Sequence, residues 1–309
     1  MNQTKFSLAD VITLLAAIAF GFVCFLGTHF FTLGNTSQSI ILAVIISVLL
    51  SATALGAKWL KRTNGNFKTC FIWEMILLIF FTSLTVFFTY SPFSHYFVVS
   101  DQKKVIQRDF NFSITQVENM FTEYEKYAQT RKGLYKGKIE SVVTNKYVNP
   151  PNYTAFDFKN TGGSDLIQIK NKMNMMHTDL FPSNFKAMKT ADSTWLAKSR
   201  EIVNNWKPIS IVVVLNTIEQ NSNQWLDELV QLSTIREKNE ITVNFNYPLP
   251  ISSMKVFFTT LGKPTPLSIG LAIILYLLML LSWIVSKRHT RFPGLKLVFG
   301  TGKSADNEL

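Results

Sequence analysis

The hydrophobic pattern divides the 309-residue chain into four long apolar blocks and one long polar stretch. Residues 11–31, 40–57, 70–90 and 267–285 each form a run of mostly apolar side chains. About 20 such residues are what a helix needs to cross hydrocarbon with its peptide groups paired internally. A single block of this length can be a buried core helix, but four in one modest chain read as membrane spans. The first block exceeds the roughly 7–15 residues of a signal-peptide core and is followed at once by a second, so it reads as a retained helix. The expected organisation is a cytoplasmic N-terminus with three spans over 1–90, an outward domain over 91–264, a fourth span within 265–286, and a basic tail over 287–309.

Within the polar stretch, Ser113 and Gln116 have capping-box spacing, and Phe112 and Val117 stand where a hydrophobic staple would place them. Ile114, Val117, Phe121, Tyr124 and Ala128 then recur every three or four residues, and Arg131 and Lys132 precede Gly133, which predicts a helix over 114–132, with a start nearer Asp101 as the alternative. Residues 138–158 read as short β-like pieces, broken by Pro150 and Pro151 and closed by Gly162 and Gly163. Helical faces return over 166–176, and again in Phe185, Met188, Trp195, Ile202 and Trp206, with Pro208 as the stop. The β-branched run 209–215 is too short for periodicity to distinguish strand from buried helix. A further helix is predicted over 223–236, from Trp225, Leu229 and Leu232 on one face.

Ile241, Val243, Phe245 and Tyr247 alternate strictly and predict a half-buried strand, with 254–258 as a candidate partner strand. The expected fold is therefore an integral membrane protein with four transmembrane helices and a mainly α, α+β outward domain. The helical faces read first as core. Val117, Phe121, Tyr124, Trp195, Ile202 and Trp206 are also the candidates for meeting a partner helix, and periodicity does not separate the two roles.

Charge sets the expected orientation. Lys58, Lys61, Arg62 and Lys68 lie between the second and third blocks, and Lys287, Arg288 and Arg291 follow the fourth, whereas residues 32–39 carry no charge. Lys and Arg near span ends are retained in the cytoplasm, so both termini are expected there and the large domain on the outside. Trp59, Trp73 and Trp283 fall at the same interface, where an amphipathic indole is favoured. The formal charge of +11 does not indicate a nucleic-acid partner, because residues 91–264 hold 21 Lys and Arg against 16 acids and no dense basic stripe.

Cys24 and Cys70 are the only cysteines, both in or at apolar blocks, so a disulfide-built exported domain is excluded. Small residues one turn apart, Ala17 with Gly21 and Ala52 with Gly56, are candidates for close helix packing. Glu74 is the one carboxylate placed inside a span, about a turn from the basic loop. A snorkelling or locally ion-paired acid, with Lys68 in reach, is favoured there over a proton relay.

No chemistry emerges from the motifs. His29, His95, His177 and His289 have no partner at metal-ligand spacing, and neither a Gly-x-Ser-x-Gly elbow nor a His-Glu-x-x-His helix is present. Gly300 to Ser304 mimics the end of a phosphate-binding loop, but Leu297 stands where the first glycine belongs. The pairs Glu123 with Glu125 and Asp227 with Glu228 read as solvated helix faces. No catalytic, cofactor-binding or metal residue is nominated, and a non-enzymatic role is expected. Three classes remain: an assembly scaffold, a ligand-sensing receptor lacking an inward output module, and a transporter or channel subunit whose spans hold few polar residues at mid-depth.

The layout of three spans, a large outward domain and a fourth span has the topology of tetraspanins. Their large loop carries a Cys-Cys-Gly motif and disulfides, and this one has no cysteine. The size, span layout and Lys-, Asn-, Thr- and Phe-rich, cysteine-poor outward domain resemble the TssN-like inner-membrane subunits of the type VI secretion system of Bacteroidetes. The resemblance covers the whole chain through its architecture and rests on no diagnostic motif. It implies a bacterial inner membrane with the large domain periplasmic, and an oligomeric complex crossing the envelope, with the lipid bilayer and other membrane and periplasmic subunits as partners and a cytoplasmic baseplate near the basic loop and tail. It brings no active-site residues.

Overall fold

The computed structural model describes residues 7–63, 66–161, 163–234, 244–249 and 254–288. The chain falls into two compact units, Met1–Lys103 with Phe257–Leu309, and Lys104–Val256.

The first unit holds the four helices long and apolar enough to cross a membrane. They are α1 (Leu8–Phe31), α2 (Thr36–Arg62), α3 (Phe67–Phe88, continued as described below) and α11 (Pro266–Val285). Their inner faces meet in one core of Ala17, Phe20, Cys24, Ile46, Leu50, Phe81, Met279 and neighbours. Their outer faces are apolar as well, with Ile18, Phe22, Val44, Val48, Ile79, Phe87, Ile273 and Leu277 exposed. A helix apolar on every side needs lipid around it, so this unit is the membrane-embedded part of a multi-pass protein. Hydroxyls along the spans are satisfied locally: Ser47 donates to the Ala43 carbonyl at 2.9 Å, Thr53 to Leu49 at 2.7 Å and Thr85 to Phe81 at 2.8 Å.

The third span does not stop at Tyr90. Pro92 has no N–H to give, and the helix passes it through one π-turn, Thr89–Phe93, before resuming as α4 (Ser94–Asp101). The Ser94 hydroxyl bonds the Thr89 carbonyl within that turn. Phe93 is thereby turned inward and stacks on Phe20, with ring centroids 4.6 Å apart.

The second unit contains α5 (Lys103–Thr144, almost all of it), α6 (Pro150–Ala155), α7 (Asp165–Leu180), α8 (Phe185–Asn204) and α9 (Pro208–Thr234). One stripe of α5, from Ile106 through Phe110, Ile114, Val117, Met120 and Phe121 to Tyr124, is buried. Tyr124 sits at its centre: the ring packs on Phe181, Phe185 and Phe245, and its hydroxyl donates to the Leu180 carbonyl at 3.0 Å. Phe121 and Trp195 both pack on Trp225 of α9. Two ion pairs fasten α8 to α5, Arg200 with both oxygens of Glu118 at 3.1 and 3.0 Å, and Lys189 with Glu125 at 2.7 Å.

The α+β expectation is overturned: among the described residues every regular element is helical and none is a strand. Residues 138–144 are the last two turns of α5, which runs through Gly133 and Gly137. Pro150 and Pro151, taken as breakers, open α6, where proline's missing N–H costs nothing. Residues 209–215 are helical and belong to α9, with Pro208 as its first residue. The helical prediction over 223–236 falls in its continuation as far as Thr234.

Of the alternating segment, Ile241 and Val243 lie outside the described residues. Phe245 and Tyr247 belong to a strap with no ladder partner among the described residues, with Phe245 buried against Tyr124 and Tyr127 and its N–H on the Ser233 hydroxyl at 3.4 Å. The second candidate strand is a helical turn, α10 (Lys255–Thr259).

Candidate functional site, a polar belt at one end of the four-helix unit

α1 starts, α2 ends, α3 starts and α11 ends at the same end of the bundle, and the buried charges of this unit collect there. Asp10 is the third residue of α1 and closes a capping box with Ser7, whose N–H reaches Asp10 Oδ2 at 2.7 Å. Lys58, in the last turns of α2, donates Nζ–H to the same oxygen at 2.7 Å. Ser282 of α11 gives its hydroxyl to Asp10 Oδ1, and the Ser282 N–H meets Thr13 Oγ1 at 3.4 Å. One carboxylate thus ties three helices together.

Glu74 of α3 is fully buried and forms the second knot. Arg288, just beyond α11, places Nη2 at 2.8 Å from Oε1 and 2.7 Å from Oε2, and Trp283 donates Nε1–H to Oε1 at 2.8 Å. Lys61 of α2 donates to the Trp283 carbonyl at 2.8 Å and lies over the indole, 4.4 Å from its centroid. The Arg288 guanidinium also lies over Phe67 and Phe71, at 5.5 and 5.3 Å.

Each charge suits the helix end it occupies. Asp10 and Glu74 are near N-termini, where the peptide dipoles present positive potential, and Lys58, Lys61 and Arg288 are at or past C-termini. Taking such groups out of water is expensive, and leaving one unpartnered is more so, which is why each carboxylate is met by a cation and a further donor. Chemically the belt is a lock. Its acids are occupied, and the core above them is apolar. Among the described residues no group of three or more His, Cys, Asp or Glu is placed to hold a metal ion.

Of the residues nominated as topology determinants, Lys58, Lys61 and Arg288 are in the belt. Arg62, Lys68 and Lys287 are exposed, and Arg291 lies outside the described residues. Glu74 pairs across the bundle with Arg288, not along its own helix with Lys68. Asp10, Thr13 and Ser282 were not nominated. Ser7 followed three residues later by Asp10, at the start of an apolar run, is the signal that could have found the first of them.

The small residues separate. Ala17 is buried, and a Cβ on Gly21 would stand 2.9 Å from the Ala43 carbonyl oxygen of α2. Gly56 faces Leu77, and Ala52 is exposed. Gly27 had no nominating pattern, yet a Cβ there would stand 1.8 Å from the Pro92 carbonyl oxygen. In the second unit Val117, Phe121 and Tyr124 are interior, whereas Trp195, Ile202 and Trp206 are half-buried. Comparison with protein-family models, with curated proteins and with solved structures finds no match to this chain.

Proposed function

We propose that this chain is a non-enzymatic scaffold subunit of a bacterial inner membrane, with both termini in the cytoplasm and the second unit on the periplasmic side. The observation that carries the reading is the belt. Its buried acids are engaged by cations and donors from other helices, and the span hydroxyls of Ser47, Thr53 and Thr85 bond their own helix carbonyls. Polar groups used in this way hold four helices in one arrangement and line no path for a solute, which favours an anchor over a transporter. The orientation rests on Lys58, Lys61, Arg62 and Lys68 at one end of the spans, with Lys287 and Arg288 after the last.

The span layout and the cysteine-free outward unit further support a subunit of a trans-envelope assembly of the type VI secretion kind, docking other envelope subunits through the second unit. Extraction in a mild detergent, followed by size measurement and identification of co-purifying chains, tests this. A hetero-oligomer whose cross-links map to residues 104–256 is the expected result. A lone chain, or solute flux through vesicles reconstituted with the pure protein, contradicts it.

A further inference from the structure

The far end of α5, with α6 and the start of α7, carries a small core of its own: Ile139, Val142, Tyr153, Phe156 and Phe158, backed by Tyr135, Val143, Ile169 and Met173. Polar contacts fix its outline. Lys146 pairs with Asp165 at 2.5 Å, Tyr153 donates to the same carboxylate at 2.7 Å, and Gln168 clamps the Lys159 backbone through bonds of 3.0 and 2.8 Å. This is a built surface.

Apolar side chains project from it into solvent. Tyr147 and Val148, in the turn after α5, are 86% and 85% exposed, and Leu166, in the first turn of α7, is 78% exposed. Lys146 directly precedes the first pair and Asp165 directly precedes Leu166, so the ion pair ties together the two segments from which these groups project. A patch of this kind on an otherwise folded surface marks a contact site.

Charge identifies the counterpart. Residues 135–173 hold six lysines (136, 138, 146, 159, 170 and 172) against three acids, whereas the rest of 104–256 holds thirteen Lys and Arg against twelve acids. Three of the unit's four excess positive charges therefore fall in the segment that carries the patch. Lys138 and Lys172 stand over the faces of Phe156 and Phe158, at 5.3 and 5.1 Å, and Lys146 over Tyr147 at 5.2 Å. Lys146 thus stands beside a projecting tip, and Lys138 and Lys172 stand over the buried rings of the small core that carries the tips. Lysines and projecting apolar side chains on one small core are what a headgroup layer accepts, with the tips entering the acyl boundary and the lysines meeting phosphates. A second copy of the chain would bring like charge to the same place.

We propose that this tip docks on the surface of an anionic lipid bilayer. The proposal stands on the second unit alone and does not rest on the scaffold reading. The full chain is placed in nanodiscs of phosphatidylcholine and mixed with heavy vesicles of either pure phosphatidylcholine or phosphatidylcholine with phosphatidylglycerol. Co-sedimentation with the phosphatidylglycerol vesicles is expected to exceed that with the neutral ones by roughly tenfold and to weaken at high salt. The variant Tyr147→Ser/Val148→Ser/Leu166→Ser should lose it, and Lys159→Glu should reduce it. Because these side chains are exposed, both variants should keep the wild-type circular dichroism spectrum and particle size. Equal partition to the two vesicle types, or binding unchanged in the triple variant, overturns the proposal. So does nanodisc pairing without vesicles, which would assign the tip to a second copy, and so does absence of vesicle binding, which would leave an acidic protein as its counterpart.

Discussion

Gly27 of the first span and Gly56 of the second differ in what stands over them. At Gly27 the obstacle is the Pro92 carbonyl oxygen, a backbone atom inside the π-turn that cannot swing away. At Gly56 it is Leu77 Cδ1 at 3.3 Å, the end of a flexible side chain. Gly27→Ala is therefore expected to destabilise the four-helix unit by about 1–3 kcal/mol, whereas Gly56→Ala should be nearly silent. Thermal unfolding in detergent, followed by circular dichroism, separates them. The Gly21 spacing was readable because small residues one turn apart suffice to notice it. Gly27 was not, since its neighbour is 65 positions away and reaches it only because a proline shifts the third span.

In the second unit, Asp192 of α8 is buried, and burial followed by the nearby charge of Glu228 pushes its carboxyl up to about 6. The folded chain then holds this proton more tightly than the unfolded chain does. Stability from this group is full below the ordinary carboxylate value of 3.8 and is lost as pH rises toward about 6. Asp192→Asn should remove that dependence and raise stability at neutral pH by about 1 kcal/mol. Urea titrations at several pH values, read from the Trp195 and Trp225 fluorescence, check both the sign and the window.

At the scale of elements, the belt behaves as a coupled unit. Asp10→Asn or Lys58→Met alone leaves a buried charge without its partner and is expected to cost about 3–5 kcal/mol, while the double replacement should cost less than the sum of the two. A double-mutant cycle on detergent-solubilised protein measures this, and strictly additive losses would contradict the pairing. The spans themselves were legible because lipid imposes an unbroken apolar run, which no tertiary detail disguises.

The elements of the second unit were less so. Gly133 and Gly137 have nothing within 4 Å of where a Cβ would stand, so each lowers helix propensity by roughly 1 kcal/mol without ending α5. The packing of Ile139 and Val142 outweighs that loss. The strand expectation failed for a different reason. A strap lying on helices alternates buried and exposed side chains just as a strand does, and Phe245 is inward while Asn244 and Asn246 are outward, with no ladder beside them among the described residues.

For the whole molecule, the chain joins an apolar-surfaced bundle to a polar unit whose described regular elements are all helical, and the proposed reading divides anchoring and contact between them. Composition alone announced that division, and the sign of the loop charges set its expected direction. The belt was only partly announced: its cations were marked as topology determinants, while the acids that bind them come from positions 48 and 214 residues away.

The central claim, that the chain threads a bilayer four times with the second unit outside, is tested most directly by thiol labelling. In a background with Cys24→Ala and Cys70→Ser, Tyr147→Cys and Trp59→Cys each present an exposed position. With a membrane-impermeant maleimide applied to spheroplasts, the account predicts that Tyr147→Cys is labelled at once and Trp59→Cys only after the membrane is opened. Immediate labelling of Trp59→Cys, with Tyr147→Cys protected until lysis, would contradict it.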